Sequence, residues 1–332
     1  MDEPASVTFR CCARPAGDRK RVRARRLTPF QALAVSLWPL LAVPAPAPPD
    51  FMSAQETEQL AEGTYAFRQG AYRSLFLIGE NGVIVTDPVS PQYAAAMRAA
   101  IAKLTDAPVR FVVYSHSHWD RISGGRIFAD EGARFIAQER CAENLRETPN
   151  PLVIPPDITY RTEYQVRVGD KALDLHYLGP SLDNCLSVIV AQPAKIMMIV
   201  GLVNPPHADL PRNPTVPDYQ LWNIVPFFRA AEQLARQDGI ERLVGGFIAT
   251  GNGPDGQPLL QPSTGPIAAV GEQRLFWEQL IGAVKAQHDA GTPLRDVMQK
   301  LDLTVFQQYP RYSERRMEIL VRRVGSLLTT GR

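Results

Sequence analysis

The chain has 332 residues, of which 45% are hydrophobic and 21% charged, a composition typical of a globular protein with a sizeable core. The formal net charge of +2 is unevenly distributed, because residues 1–47 hold eight Arg or Lys and three Asp or Glu. The remainder, with 28 basic and 31 acidic residues, is slightly acidic. This balance argues against nucleic-acid binding, and four cysteines are too few for a disulfide framework.

The first fifty residues have the order of a secretory signal peptide. A basic stretch, Arg19–Arg26, precedes the apolar run Phe30–Val43, and small residues follow at Ala45-Pro46-Ala47. The apolar run is too short for a stable membrane span. We therefore expect a leader at 1–50 and a periplasmic or secreted protein if the leader is cleaved. An uncleaved anchor and a true start at Met52, which would give a cytoplasmic protein, remain open alternatives.

From residue 51 onward the pattern predicts a single α/β domain, with a helical extension from about residue 266. Short apolar segments predict strands at Thr64–Arg68, Tyr72–Gly79, Val83–Thr86, Val109–Tyr114, Arg134–Ala137, Tyr164–Val168, Ala172–Tyr177, Leu186–Ala191, Lys195–Val200 and Arg242–Gly245. Helices are predicted at Pro91–Leu104, Gly124–Glu131, Glu139–Leu145, Tyr219–Arg236, Pro266–Ala290 and Tyr312–Leu328. The segments Pro205–Pro217 and Gly251–Gly265 are predicted loops, and Cys141 and Cys185 are predicted to be unbridged core residues.

Candidate metal ligands follow the predicted strand Val109–Tyr114. His116 and His118 lie two positions apart in a loop, so both imidazoles can reach one ion, and Asp120 can bind or orient the same site. A His-x-His pair alone is weak evidence. The apolar strand before it and the Gly124-Gly125 turn after it strengthen the interpretation.

The stretch Tyr114–Gly125, with His116-Ser117-His118-Trp119-Asp120 at its centre, resembles the signature loop of the metallo-β-lactamase superfamily. Val83–Asp87 resembles the strand and Asp that precede this loop, and His176–Asn184 resembles the second metal segment. The resemblance implies an αββα sandwich with the site at the open edge between two sheets, and an Asp87 that supports the site. Intact relatives bind two zinc ions, or iron or manganese in some branches.

Several positions depart from the superfamily pattern. The His expected after Asp120 is Arg121, and the bridging Asp corresponds to Gly201. The last His corresponds to Phe247, and the second metal segment has Ser181-Leu182 in place of its His. Only His116, His118 and Asp120 remain as metal ligands, so the sequence predicts one ion at most, zinc or else iron or manganese, or none.

Three functions are consistent with this site. The first is hydrolysis of an ester, lactone or amide with one metal, in which Asp120 and Arg121 act in catalysis and Arg121 stabilises an anionic group. The second is a non-catalytic cleft that binds an anionic small molecule through Arg121, or a protein partner. The third is an accessory subunit that uses the helical end. His207, in the proline-rich loop, is a candidate substrate contact, and the oligomeric state is left undetermined.

Overall fold

The computed structural model describes residues 55–247, 250–252, 258–260 and 264–331. The predicted leader and Met52 lie outside the described residues. None of the described helices is both long enough and apolar enough to cross a membrane.

The first sheet has its strands in chain order, antiparallel from β1 to β4 and parallel from β4 to β7. The strands are β1 Gln55–Ala61, β2 Thr64–Gln69, β3 Tyr72–Gly79, β4 Gly82–Thr86, β5 Val109–Val113, β6 Arg134–Gln138 and β7 Ile158–Tyr160. The strands β1 and β7 were not predicted from the sequence. Both are edge strands, and the seven residues of β1 are mostly exposed and polar, which hides the apolar signal.

The second sheet has the order β15-β12-β11-β10-β9-β8, and its only parallel pair among the described strands is β11 with β12. The strands are β8 Glu163–Val168, β9 Lys171–His176, β10 Val188–Gln192, β11 Ile196–Ile199, β12 Arg242–Gly245 and β15 Thr264–Pro266. A separate pair, β13 Thr250–Asn252 with β14 Pro258–Leu260, lies where a loop was predicted.

Helices cover the outer faces of both sheets. They are α1 Pro91–Ala102, α2 Trp119–Ile122, α3 Arg126–Asp130, α4 Glu139–Glu147, α5 Ile224–Asp238, α6 Ala268–Asp289, α7 Leu294–Lys300 and α8 Glu314–Thr330. The helix α5 begins five residues later than predicted, and α7 was not predicted. The structure thus has the predicted helix–sheet–sheet–helix arrangement.

Side-chain alternation in the first sheet explains the layering. Leu75, Leu77 and Ile84 belong to the core between the sheets, whereas Phe76 and Val85 belong to the core beneath α1, α3 and α4. Successive side chains of a strand point to opposite faces, so each apolar strand supplies both cores. Burial of these two cores provides the main stabilisation of the fold.

Cys141 and Cys185 form a disulfide, so the prediction that they are unbridged is wrong. Cys141 lies in α4, and Cys185 lies in the segment between β9 and β10. The sequence separation of 44 residues concealed the pairing, since only the packing of α4 against that segment brings the two cysteines together.

Candidate functional site

The candidate site is a cleft of about 270 Å³ at the edge where the two sheets approach each other. It is lined by residues that follow or begin strands of both sheets. The lining includes Tyr72, His116, His118, Asp120, Arg121, Leu182, Gly201, Arg212, Asp218 and Phe247. One cleft therefore contains all the candidate metal ligands. It also contains four residues at positions that depart from the superfamily pattern, Arg121, Leu182, Gly201 and Phe247.

His116 is held by a buried chain of hydrogen bonds. The backbone N–H of Ser115 donates to Asp87 Oδ1 (2.8 Å), and its hydroxyl donates to Asp87 Oδ2 (2.7 Å). The same hydroxyl oxygen lies 2.8 Å from His116 Nδ1. Because the hydroxyl has one hydrogen and the carboxylate takes it, Nδ1 carries a hydrogen and donates to Ser115. This leaves Nε2 of His116 as the acceptor nitrogen of the ring.

The charge state of His116 follows from its surroundings. Burial lowers the pKa of His116 well below its usual value, and His118 and Arg121 lower it further. The His116 ring is therefore neutral at physiological pH. The two imidazoles meet edge to face with their centroids 4.6 Å apart, and Nε2 of the more exposed His118 lies 3.8 Å from Asp218 Oδ2.

Arg121 is buried and already engaged by protein groups. One terminal nitrogen donates to the Gly246 carbonyl (2.9 Å), and the other donates to the Arg73 carbonyl (2.7 Å) and to Asp87 Oδ2 (3.1 Å). Its guanidinium carbon lies 5.5 Å and 5.2 Å from the centroids of the Tyr72 and Phe247 rings. This placement differs from the expectation that Arg121 clamps a ligand, because both terminal nitrogens are used within the fold.

The position of Asp120 is shaped by Tyr72. The Tyr72 hydroxyl donates to Asp120 Oδ2 over 3.4 Å, and the Asp120 side chain is exposed. Burial raises the pKa of Tyr72, and the nearby Asp120 carboxylate raises it further. Tyr72 therefore stays protonated and can donate to Asp120 across the working pH range.

The residues present do not fit the metal ion that this type of site implies. In the described part of the chain, no group of three or more His, Cys, Asp or Glu side chains is placed to hold a metal ion. Gly201 has a φ of +79°, and a Cβ there would lie 2.4 Å from Leu182 Cδ2. Leu182 thus fills the space of the missing carboxylate, and the buried cation of Arg121 repels a dication.

Arg212 is a cleft residue that the sequence did not indicate, as is Asp218. Its guanidinium carbon lies 4.5 Å from the centroid of the Phe247 ring. Within the described residues its guanidinium has neither a hydrogen bond nor an ion pair, and its side chain is exposed. The predicted loop Pro205–Pro217 does reach the cleft, but nothing in its sequence distinguished Arg212 from other surface arginines.

The predicted contact His207 lies elsewhere. It faces Glu272 of α6, with 3.8 Å between Nδ1 and Oε2, in a hollow that also includes Tyr309. His207 is not among the residues that line the cleft, so its placement gives no support to a substrate contact there. His176, at the end of β9, faces Glu163 of β8 as a structural residue.

Comparison with known proteins agrees with this architecture. A family model described as the metallo-β-lactamase superfamily matches residues 69–189, which include His116, His118, Asp120 and Asp183. Residues 69–189 thus resemble the metallo-β-lactamase superfamily in sequence. Among solved structures, a metallo-β-lactamase from Pontibacter korlensis has a TM-score of 0.56 at 17% identity, covering 68% of this chain and 99% of that one. The predicted family and fold are thereby confirmed.

Two further comparisons cover different lengths of the chain. The DIM-1 metallo-β-lactamase, in a structure exposed to ceftazidime, has a TM-score of 0.56 at 15% identity and covers 69% of this chain and 98% of that one. At such identities the likeness shows the fold alone. A curated relative, 2,4-dinitroanisole O-demethylase subunit alpha of Nocardioides sp. (strain JS1661), is 28% identical over 128 residues. That match covers 38% of this chain and 39% of the relative, so the chain spans well under half of its length.

Proposed function

We propose that the cleft binds a small anionic molecule without a metal ion, with Arg212 as the group that attracts the anion. The observation that carries the proposal is that two guanidinium groups contact the ring of Phe247, one buried and engaged, the other exposed and unpaired among the described residues. Phe247 stands where the superfamily pattern expects a metal-binding His. Cationic and aromatic groups have thus taken the place of metal donors.

The charges around Arg212 favour an anion on one side of the cleft. Burial lowers the pKa of Arg212, and Arg311 lies close enough to lower it further. Burial raises the pKa of Asp209, whereas Arg311, Arg212 and Arg316 all act to lower it, so three arginines surround one carboxylate. The cleft is also lined by the carboxylates of Asp120 and Asp218, and Asp120 is close enough to Arg212 to raise its pKa against the effect of burial. A ligand with one acidic group suits the arginines of this arrangement.

The first test measures the metal content of the protein from residue 48 onward by elemental mass spectrometry, beside a His116→Ala/His118→Ala variant. We expect no zinc, iron or manganese above that control and no change in melting temperature with EDTA. About one metal per chain, lost in the control variant, would overturn the metal-free proposal.

The second test measures anion binding by calorimetry, with benzoate as the probe. We expect Arg212→Met to weaken benzoate binding about tenfold or more, since it removes the unpaired cation. Arg236→Met is the matched control, because Arg236 is exposed on α5 and does not line the cleft. Equal affinities of the Arg212→Met variant and the native chain would contradict the role of Arg212.

Hydrolysis is the second candidate function, favoured by the placement of His116, His118 and Asp120 in one cleft and by the enzymes among the relatives. A panel of esters, lactones, amides and 2,4-dinitroanisole tests it, the last because a relative is named for that compound. Turnover that is lost in His116→Ala would establish this function.

The curated relative is also named as a subunit, which supports the proposals of an accessory subunit and of a protein partner. Light scattering tests them by measuring the mass of the protein alone and of any complex isolated by affinity capture.

The disulfide supports the proposal of a periplasmic or secreted protein. Structural disulfides persist in oxidising compartments and are uncommon in the reducing cytosol. The bridge between Cys141 and Cys185 is buried, so it serves as a structural element of the fold.

A further inference from the structure

A second hollow, of about 600 Å³, adjoins the cleft. The two cavities share the side chains of Tyr72 and Asp120 as a common wall. The remaining walls of the hollow are mostly apolar and include Val89, Pro91, Tyr93, Trp119 and Leu152. A molecule larger than the cleft therefore has an apolar space immediately beside it.

Two large apolar side chains at this hollow are exposed to solvent. Trp119 is 44% exposed and Leu152 is 54% exposed, although other apolar side chains around them are buried. Trp119 lies between His118 and Asp120 in the sequence, so its position is tied to the cleft. Apolar surface that is exposed beside a polar site commonly marks a place where a ligand is bound.

The wall between the two cavities is formed by two side chains, Tyr72 and Asp120. The ring of Tyr72 lies 5.2 Å from the ring of Phe247 and 5.5 Å from the guanidinium carbon of Arg121, which fix it in place. Across the wall, the Tyr72 hydroxyl and Asp120 Oδ2 are joined by a hydrogen bond of 3.4 Å, at the long end of the usual range. Tyr72 therefore offers an aromatic surface to a ligand that extends from one cavity to the other.

We propose that the hollow binds the aromatic body of the same small molecule whose acidic group lies at Arg212 in the cleft. This inference rests on the proposed function and names its ligand class, an elongated aryl-alkyl carboxylate. The hollow, at about 600 Å³, has more than twice the volume of the cleft, at about 270 Å³. Contact of an aryl ring with Trp119, Leu152 and Tyr72 would remove apolar surface from water on both sides.

The test compares benzoate with 5-phenylpentanoate by calorimetry. In the native protein we expect 5-phenylpentanoate to bind about tenfold tighter than benzoate, because its ring reaches the hollow while its carboxylate stays at Arg212. In Trp119→Ala and Leu152→Ala this gain should shrink to about threefold or less, while benzoate binding is unchanged. Both side chains are exposed, so the variants should fold, and circular dichroism checks this.

The control is Trp222→Ala, which removes a Trp that is 60% exposed and lines neither cavity. Equal affinities for the two compounds in the native protein, or the same loss in Trp222→Ala as in Trp119→Ala, would overturn the inference. If benzoate binding depends on Arg212 but 5-phenylpentanoate binds no more tightly than benzoate, this inference is wrong and the proposed function stands. A gain that depends on Trp119 but not on Arg212 would support the hollow and reject the anion site, and absence of binding by both compounds would reject both.

Discussion

The guanidinium of Arg121 donates hydrogen bonds to backbone carbonyls of both sheets. The carbonyl of Arg73 belongs to the first sheet, and that of Gly246 follows the last residue of β12 in the second. The backbone N–H of Arg73 also donates to the Gly246 carbonyl (2.9 Å). Arg121 therefore joins the sheets at the cleft edge and neutralises Asp87, the carboxylate that orients Ser115 and His116.

Substitution of Arg121 should destabilise the protein strongly. We expect Arg121→Met to lower the free energy of unfolding by about 3–5 kcal/mol, because it leaves Asp87 buried without its counter-ion. Arg121→Lys should cost about 2 kcal/mol, since one ammonium cannot reproduce the fork that reaches Arg73, Gly246 and Asp87. Denaturant unfolding measures both, with the exposed Arg236→Met as control. A loss for Arg121→Met no larger than that of the control would show that the contacts are dispensable.

A second charged residue is unusual for a different reason. Asp209 is buried, and burial raises its pKa to about 6 despite the opposing influence of Arg311, Arg212 and Arg316. Arg311 lies 2.8 Å from Asp209 Oδ2. Because the native pKa lies above the unfolded value near 4, folding favours the protonated form, and the charge of Asp209 is lost as pH falls through about 6.

The charge of Asp209 should therefore make anion binding depend on pH. As pH falls from 7 to 5, protonation of Asp209 removes a negative charge near Arg212, so benzoate affinity should rise, by about threefold or more. In Asp209→Asn, this part of the rise should be absent. Calorimetric titration at several pH values in both proteins measures the difference. Superimposable pH profiles would reject the role of Asp209.

At the scale of elements, α4 and the segment before β10 form a support behind the His loop. Ser117 Oγ donates to Asp183 Oδ2 (2.5 Å), and the amide of Asn144 donates to Ser117 Oγ (3.0 Å) and Asp183 Oδ1 (3.2 Å). Asn144 lies in α4, three residues after Cys141, whose disulfide partner follows Asp183 by two residues. The disulfide thus fixes the two elements that position the loop between His116 and His118.

Removal of the disulfide should lower global stability. For the 44-residue separation, the loss of constraint on the unfolded chain corresponds to about 4 kcal/mol. We expect the Cys141→Ala/Cys185→Ala double variant to unfold at lower denaturant concentration than the native protein. Dithiothreitol should shift the native protein in the same direction and leave the double variant unchanged. If the native midpoint does not respond to complete reduction, the bridge has no stabilising role.

At the scale of the molecule, the fold could be predicted from the sequence because its signals are local. Strands such as β10 and β11 are continuous apolar runs, and the loop His116–Asp120 follows its strand directly. The disulfide, the contacts of Arg121 and the unpaired Arg212 were not predictable in this way. Each depends on residues that are distant in sequence, and nothing in the sequence around Cys141 indicates its pairing with Cys185.

The superfamily pattern predicted which residues occupy the metal-donor positions, but not how their side chains are oriented. The pattern located Arg121, Gly201 and Phe247 at the positions of absent ligands, and the structure brings all of them to one cleft. It could not indicate that Arg121 would be turned inward onto Asp87, because that orientation depends on the carbonyls of Arg73 and Gly246. Nor could it place His207, whose direction is set by the packing of its loop on α6.

The close approach of Leu182 to Gly201 limits how this site can change over evolution. An Asp at position 201 would have to adopt a left-handed backbone conformation, and the Cδ2 methyl of Leu182 would have to move away from its Cβ. A smaller residue at 182 alone would open a cavity in a core region, which is itself destabilising. Either single change thus costs folding stability before any ion can bind, which favours retention of the present cleft.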